Sequence, residues 1–325
     1  MDTVRDTILV LHESMGADIR PDEQDTLAQV DHVTSVLDAL GYDVDVLAAD
    51  LDLGALRAAV RGRRPDCVFN LVESLGGDGR LIHLAPAVLE SIGQPFTGCG
   101  SQAMFLTTHK QLAKHWMRAH GVPTPASFGP GEATADAGGT WIVKSLCEHA
   151  SFGMDDGCVV DGTVEAERRL EHCRRVHGGD WFAEQYVDGR EFNVAVLEAD
   201  GRPNILPMAE MTFVGYPAGK PRIVGYAAKW DESAPEYRAT RRVFPELPGP
   251  EREALEGVVM DCWRIFGLRG YARVDIRMDA AGVPWVLEVN ANPCLSPDAG
   301  FAAAADRAGL TAEHIVSQLL REAKG

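Results

Sequence analysis

Positive charge is scarce in this chain: 31 lysines and arginines face 48 acids, a formal net charge of −17 over 325 residues. Such a balance repels phosphate backbones and anionic membranes, so neither nucleic acid nor a membrane is expected as a partner. An anionic ligand would have to be met by individual lysines and arginines at structured positions. A C-x-x-C pair is also missing. Cysteines 67, 99, 147, 158, 173, 262 and 294 are scattered and odd in number, which argues against a zinc site or disulfide framework and favours reduced thiols. No segment approaches the roughly 20 consecutive apolar residues of a membrane span, and the chain starts with charged residues, so the expected location is cytoplasmic. Internal repeats are absent, and the one linker-like stretch is 128–139, rich in Gly and Ala.

What is present alternates. Residues 8–12 form a short apolar strand, and Leu27, Val30, Val33, Val36, Leu37 and Leu40 then recur at helical spacing up to Gly41. Segments 42–47 and 67–72 read as strands, and 81–92 as a helix after the loop Gly76-Gly77-Asp78-Gly79. This order predicts a small parallel sheet with helices on its faces. A helix over 108–120, strands at 141–146 and 158–160, a helix over 164–176 and a strand at 181–187 then predict a compact α+β unit. From Glu191 the pattern is β-rich, with strands at 192–198, 204–210 and 222–230. A helix over 251–266 leads to strands 271–278 and 285–290, and helices over 298–308 and 312–323 close the chain.

The sharpest signal is Arg273-x-Asp275 on one strand and Glu288-x-Asn290 on the next, joined by Asp279-Ala280-Ala281-Gly282. Residues two apart share a strand face. Pairing Asp275 with Glu288 or with Val286 leaves all four side chains on one face. Two carboxylates and an amide oxygen are hard ligands, suited to Mg²⁺ that completes its shell with waters and phosphate oxygens. A solvated hairpin with cross-strand salt bridges is the other reading.

Lys144 lies inside the apolar run Trp141-Ile142-Val143-Lys144, where burying a charge without a counter-anion is costly. The alternative is an exposed strand edge. Next comes the turn Glu148-His149-Ala150-Ser151-Phe152-Gly153-Met154, whose backbone N–H groups could close over phosphate oxygens. Lys110 lies near the start of its helix and Lys229 ends the strand expected at 222–230; both positions also suit solvated lysines. Glu184-Gln185-Tyr186-Val187, with Glu191 beyond it, is a strand running into a turn. It offers backbone groups to a base and a carboxylate to ribose hydroxyls, or is an ordinary acidic turn.

In this order the elements resemble the ATP-grasp superfamily, and within it the D-alanine:D-alanine ligase family, over residues 8–323 and most strongly after Thr107. The resemblance implies an ATP-grasp fold of α/β and α+β parts: an N-terminal Rossmann-like domain at 1–98, a central lobe at 99–183 and a C-terminal lobe at 184–325. The nucleotide would lie between the last two, and the chain would form a homodimer. The resemblance gives Lys110 and Lys144, with Glu148 and the loop Ala150, Ser151, Phe152 and Gly153, to the phosphates of ATP. It gives Glu184, Gln185, Tyr186 and Val187 to adenine, Glu191 to ribose and Lys229 to the γ-phosphate. Asp275, Glu288 and Asn290 would hold Mg²⁺ or Mn²⁺, usually two ions, and Arg273 would stabilise the intermediate. Leu287-Glu288-Val289-Asn290 followed by Pro293 is the most specific match.

Departures gather where the family holds its amino acids. A Gly-Gly-x-Ser with a following Glu is replaced by His12-Glu13-Ser14-Met15-Gly16, leaving Glu13 as the candidate grip on the first amine. The loop serine is Ala150, and the tyrosine after the γ-phosphate lysine is Trp230. Gly-Met-Thr and Ser-Leu become Cys294-Leu295-Ser296 and Ala299-Gly300, with Asp298 adding a negative charge. The catalytic set is then Arg273, Lys229, Glu13 and Ser151. The implied reaction joins a small carboxylic acid to an amine through an acyl phosphate at the expense of ATP, with a second substrate other than D-alanine. The rivals are an ATP-grasp kinase, a carboxylate-thiol ligase, or a nucleotide-binding module without turnover. Phe152-Gly153 and residues 213–221, with Gly215 and Gly219, are expected to be mobile covers.

Overall fold

The computed structural model describes residues 5–15, 21–129, 132, 138–148 and 151–324. Gly16, His149, Ala150 and most of the linker-like stretch lie outside them. The first sheet has the order β2-β1-β3, with β1 (Thr7–Glu13) running parallel between β2 (Asp43–Ala49) and β3 (Cys67–Asn70). β1 is fully buried from Ile8 through Leu11, as a central parallel strand requires. Its alternate residues serve two cores. Ile8 and Val10 meet Val30, Val33 and Leu37 of α1 (Pro21–Ala39), while Leu9 and Leu11 meet Leu56 and Val60 of α2 (Leu53–Arg63) and Leu89 of α3 (Leu84–Ser91). Helix α2 was not expected, although Asp52 caps it by accepting a hydrogen bond from the Ala55 N–H at 2.9 Å. The helix expected over 81–92 begins as a separate 3-10 turn, Gly79–Leu81, before α3.

Two helices follow, α4 (Ser101–Thr108) and α5 (Lys110–Ala119), of which only the second was expected. A four-stranded antiparallel sheet comes next, in the order β4-β7-β5-β6: β4 (Ser127–Phe128), β5 (Thr140–Ser145), β6 (Val159–Asp161) and β7 (Trp181–Gln185). Helix α6 (Thr163–His177) covers it, packing Ala166, Leu170 and Cys173 against Phe128, Trp141 and Trp181.

The third sheet is antiparallel, in the order β11-β10-β8-β12-β13, with β9 also paired to β8. Its strands are β8 (Arg190–Ala199), β9 (Arg202–Ile205), β10 (Ala209–Phe213), β11 (Thr240–Val243), β12 (Tyr271–Met278) and β13 (Pro284–Asn290). Between them lie α7 (Tyr226–Trp230), α8 (Pro235–Ala239) and α9 (Gly249–Phe266); α10 (Gly300–Arg307) and α11 (Ala312–Lys324) end the chain. Ala272, Val274 and Ile276 on one face of β12 meet Leu255, Val259 and Cys262 of α9 together with Met104 of α4 and Met117 of α5. Helix α11 returns to the first core through Ile315, Val316 and Leu319. Among the described residues no helix is long and apolar enough to cross a membrane.

Two strand assignments differ from the structure. Segment 222–230 is not one strand: its second half is the helical turn α7, so Lys229 stands on a helix and not at a strand end. Ile223, Val224 and Tyr226 favour strands locally, but Ala227 and Ala228 favour a helix, and Ala228 is buried there. Segment 204–210 is divided between β9 and β10, with Pro207 at the break. A proline has no N–H for the ladder.

Candidate active site

One cavity of about 570 Å³ lies between the second and third sheets, and it collects most of the residues singled out in the sequence. Its floor is the hairpin β12–β13. Asp275 pairs with Glu288 and Arg273 with Asn290, and the register then slips so that Ile276 faces Val286. The extra residue is Leu287. This bulge turns Val286 into the core while Leu287 and Glu288, though consecutive, both line the cavity. Arg273 grips Asp275 with two hydrogen bonds, Nε to Oδ1 at 2.8 Å and Nη2 to Oδ2 at 2.9 Å. From the neighbouring β8, Asn193 Nδ2 donates to Asp275 Oδ1 at 2.8 Å. Burial alone would lower the Arg273 pKa; Asp275 and then Glu288 more than offset it, so the guanidinium stays charged.

Among the described residues, no three His, Cys, Asp or Glu side chains cluster closely enough to cage a metal. Two carboxylates and the Asn290 amide therefore suit an ion that takes its remaining oxygens from water and a nucleotide, as Mg²⁺ does. A carboxylate offers about four lone-pair directions, so Asp275 can accept from Arg273 and Asn193 and still face a cation.

Three lysines surround this acidic face. Lys110, 6% exposed at the start of α5, donates to the Glu148 carbonyl at 2.7 Å and stands 4.0 Å from Glu288 Oε2. Lys144 projects from β5 and ion-pairs with Glu184 of β7. Glu184, only 1% exposed, is also 2.6 Å from Nζ of Lys114, which is itself fully buried and donates to Thr124 Oγ1 at 2.9 Å. Burial would raise the Glu184 pKa, but the two ammonium groups hold it below the ordinary carboxylate value. Lys229 opens onto the cavity from α7. Enclosure by the cleft walls, and secondarily Arg273, lower its pKa.

Gln185, Tyr186 and Val187 line the cavity beside Ile142, Met154, Ile223 and Leu287, an apolar slot suited to a planar base. Glu191 is held by Arg277 through Nη2 at 2.7 Å and Nε at 3.0 Å. Arg277, 3% exposed, also donates to the carbonyls of Val187, at 3.1 Å, and Arg222. The loop residues Glu148, Ser151 and Phe152 reach the cavity. Ser151 has a φ of 60° and donates to the Val224 carbonyl at 2.7 Å, tying the loop to the segment before α7.

Two expected site residues stand outside the cavity wall. Gly153 packs beneath the loop, where φ is +66° and a Cβ would come within 2.5 Å of Trp181. Glu13 is 5% exposed and accepts from the Glu73 N–H at 3.1 Å. The acids that do face the cavity from this side are Asp25 and Glu73. Sequence reasoning passed over these two, Asn193, Arg277, Lys114 and Arg242. For Asn193 and Arg277 a signal existed: Glu191-x-Asn193 and Asp275-x-Arg277 continue the period-two pattern.

A nucleotide-sized cleft between two sheets, with lysines at one side and a metal-competent acidic hairpin at its floor, defines an ATP-grasp enzyme. A family model described as D-ala D-ala ligase C-terminus matches residues 136–321. The uncharacterized protein y4sG of Sinorhizobium fredii is 31% identical over 300 residues, 89% of this chain and 85% of that protein. The D-alanine--D-alanine ligase of Chromohalobacter salexigens is 31% identical over 301 residues, 90% of this chain and 86% of its own. The crystal structure of D-alanine--D-alanine ligase from Bacillus anthracis complexed with ATP shares the fold, with a TM-score of 0.74 over 98% of this chain and 97% of that one at 19% identity. The chain belongs to the D-alanine–D-alanine ligase family and is an ATP-dependent ligase that forms a C–N bond.

Proposed function

We propose that the chain activates a small carboxylic acid at the expense of ATP and couples it to the amine of an amino-acid-like partner, giving an amide or peptide. The observation that carries this reading is the convergence of Asp275, Glu288, Asn290 and Arg273 with Lys110, Lys144 and Lys229 on one cavity. Lys110 and Lys144, with the Glu148, Ser151 and Phe152 loop above Gly153, would hold the phosphates. Glu184, Gln185, Tyr186 and Val187 would frame adenine, and Glu191 the ribose. Asp275, Glu288 and Asn290 would hold Mg²⁺, or Mn²⁺ in its place, whose chemistry is to offset charge on phosphate oxygens.

A carboxylate resists attack because it is anionic and its oxygen leaves poorly. Lys229 would draw charge from the phosphoryl group as it passes to the acid, forming an acyl phosphate. The amine would then attack, and Arg273 would stabilise the oxyanion at the carbonyl carbon until phosphate departs. Ser151 and Glu13 would act by shaping the loop and the donor end. Exclusion of water by the loop at 151–153 and segment 213–221 would protect the activated acid. Two ties join the loop to the residues just before and within α7, Ser151 to the Val224 carbonyl and the Tyr226 N–H to the Met154 carbonyl at 3.0 Å, and Lys220 of segment 213–221 donates to Asp156 Oδ2 at 2.9 Å.

Loss of the family's Ser-Leu at Ala299-Gly300 supports an acceptor other than D-alanine. The same reading includes the lobes 1–98, 99–183 and 184–325, a homodimer and a cytoplasmic location. A phosphate-release screen over pairs of L- and D-amino acids and simple amines, with mass spectrometry of the products, tests it. Amide with stoichiometric phosphate is expected; phosphate release with no pair would overturn it. A complete acidic hairpin disfavours a module without turnover, and family membership disfavours a kinase or thiol ligase.

A further inference from the structure

Arg277 is buried at the nucleoside end of the cavity, directly across the β8–β12 ladder from Glu191. A guanidinium has five N–H donors and no acceptor. All five are spent within the protein. Nε and Nη2 both end on Oε2 of Glu191, at 3.0 and 2.7 Å, and Nη2 also donates to the Arg222 carbonyl. Nη1 donates to the Val187 carbonyl at 3.1 Å and to the Tyr186 hydroxyl at 3.4 Å. Burial works against the charge; Glu191, then Tyr186, more than offset it. The partners come from three separate segments. Glu191 lies at the start of β8, Tyr186 and Val187 follow β7, and Arg222 precedes Ile223, which lines the same slot as Tyr186 and Val187. With both guanidinium bonds on Oε2, Oε1 of Glu191 is left to accept from a ligand hydroxyl. A hydrogen bond from Arg277 to a nucleotide would cost one of the bonds it already makes, so its effect passes through the groups it grips. A buried ion pair adds little stability beyond an apolar pair of the same volume. What this one supplies is position.

We propose that Arg277 is a positioning residue for the nucleotide: it fixes Glu191 as the acceptor of a ribose hydroxyl and sets the spacing between the end of β7 and the segment before α7. The inference rests on the ATP reading of this cavity and adds to it the group through which Glu191 acts. Selection of ribose over deoxyribose then depends on a side chain that never touches the sugar. Removing the fork frees the Glu191 carboxylate to turn, and with it goes the orientation that a hydroxyl needs.

Isothermal titration calorimetry with the full chain and Mg²⁺ tests the proposal, with ADP, 2′-deoxy-ADP and 3′-deoxy-ADP as probes. The parent should bind ADP about 10-fold or more tighter than the analogue lacking the contacted hydroxyl, the scale of one charge-assisted hydrogen bond. In Arg277→Met the preference should collapse toward unity, with ADP bound about 10- to 100-fold more weakly. Arg277→Lys keeps the charge but cannot reach Glu191 and both carbonyls at once, so it should fall between. Glu191→Gln should weaken ADP about 10-fold in the parent and less than about 3-fold in the Arg277→Met background, because the two residues act as one unit. Thermal melting reports folding. Arg277→Met strands a carboxylate; if it does not melt cooperatively, Arg277→Lys and the double variant Arg277→Met/Glu191→Gln, which strand no charge, carry the test. A preference equal to the parent's in folded Arg277→Met or in the double variant overturns the positioning role alone. A parent that binds all three nucleotides alike overturns Glu191 as the ribose acceptor and this inference with it. No binding of any of them overturns the ATP reading itself.

Discussion

Asp275 and Glu288 face each other directly across the β12–β13 ladder, and the strand register slips one residue immediately beyond them. The slip makes the floor of the cavity: it sends Val286 inward and holds Leu287 and Glu288 side by side against the cleft. Carboxamides of the same shape would keep the ladder and lose the charge. Asp275→Asn and Glu288→Gln should each lower kcat by about 100-fold or more, on the scale of losing metal-assisted charge stabilisation. Steady-state phosphate release measures the loss, and unchanged activity in both would remove the metal assignment.

Glu184 connects the lysine that faces the cavity to one that does not. Lys114 has no access to solvent, and replacing it by Met would leave Glu184 buried with Lys144 as its remaining ammonium partner. Breaking a buried pair from one side costs about 3–5 kcal/mol. Urea unfolding should show a loss of that order. KM for ATP should rise as well, because Lys144 is then drawn more strongly to Glu184.

Lys229 should lose its proton earlier than an ordinary lysine. Its pKa lies below 10.5 because the cleft walls desolvate it and Arg273 repels it. If its ammonium form binds phosphate, kcat/KM for ATP should fall on the alkaline side at a pH below 10.5, since that ratio reports the free enzyme. Lys229→Arg does not titrate in this range, so its profile should lose that limb. An alkaline limb identical in both proteins would contradict the role.

Glu13 lies under the cavity wall and not in it. Its carboxylate receives the Glu73 N–H, which an amide oxygen can also accept. Glu13→Gln should therefore change KM for the donor acid by less than about 3-fold, the signature of a side chain outside the binding step. A rise of about 100-fold would restore Glu13 as a direct contact.

The hairpin was legible because strand period alone puts Arg273, Asp275, Glu288 and Asn290 on one face whichever register is chosen. The bulge at Leu287 was not, since it depends on how Val286 packs beneath the sheet. Arg277 and Glu191 each stood in a visible pattern, but their pairing depends on β8 lying beside β12, a neighbour relation between distant segments. Lys114 reads in sequence as a solvated charge of a helix, and only the position of Glu184 on β7 explains its burial. Lys229 lines the cavity but was expected on the wrong element, because a five-residue helix leaves too short a period to outweigh the strand-forming residues before it.

The account depends most on activation of the acid by phosphoryl transfer. With the acid identified by the substrate screen labelled with ¹⁸O in its carboxylate, mass spectrometry of the released phosphate reads that step directly. The account predicts one labelled oxygen in the phosphate for each amide formed. Amide formation with wholly unlabelled phosphate would contradict it.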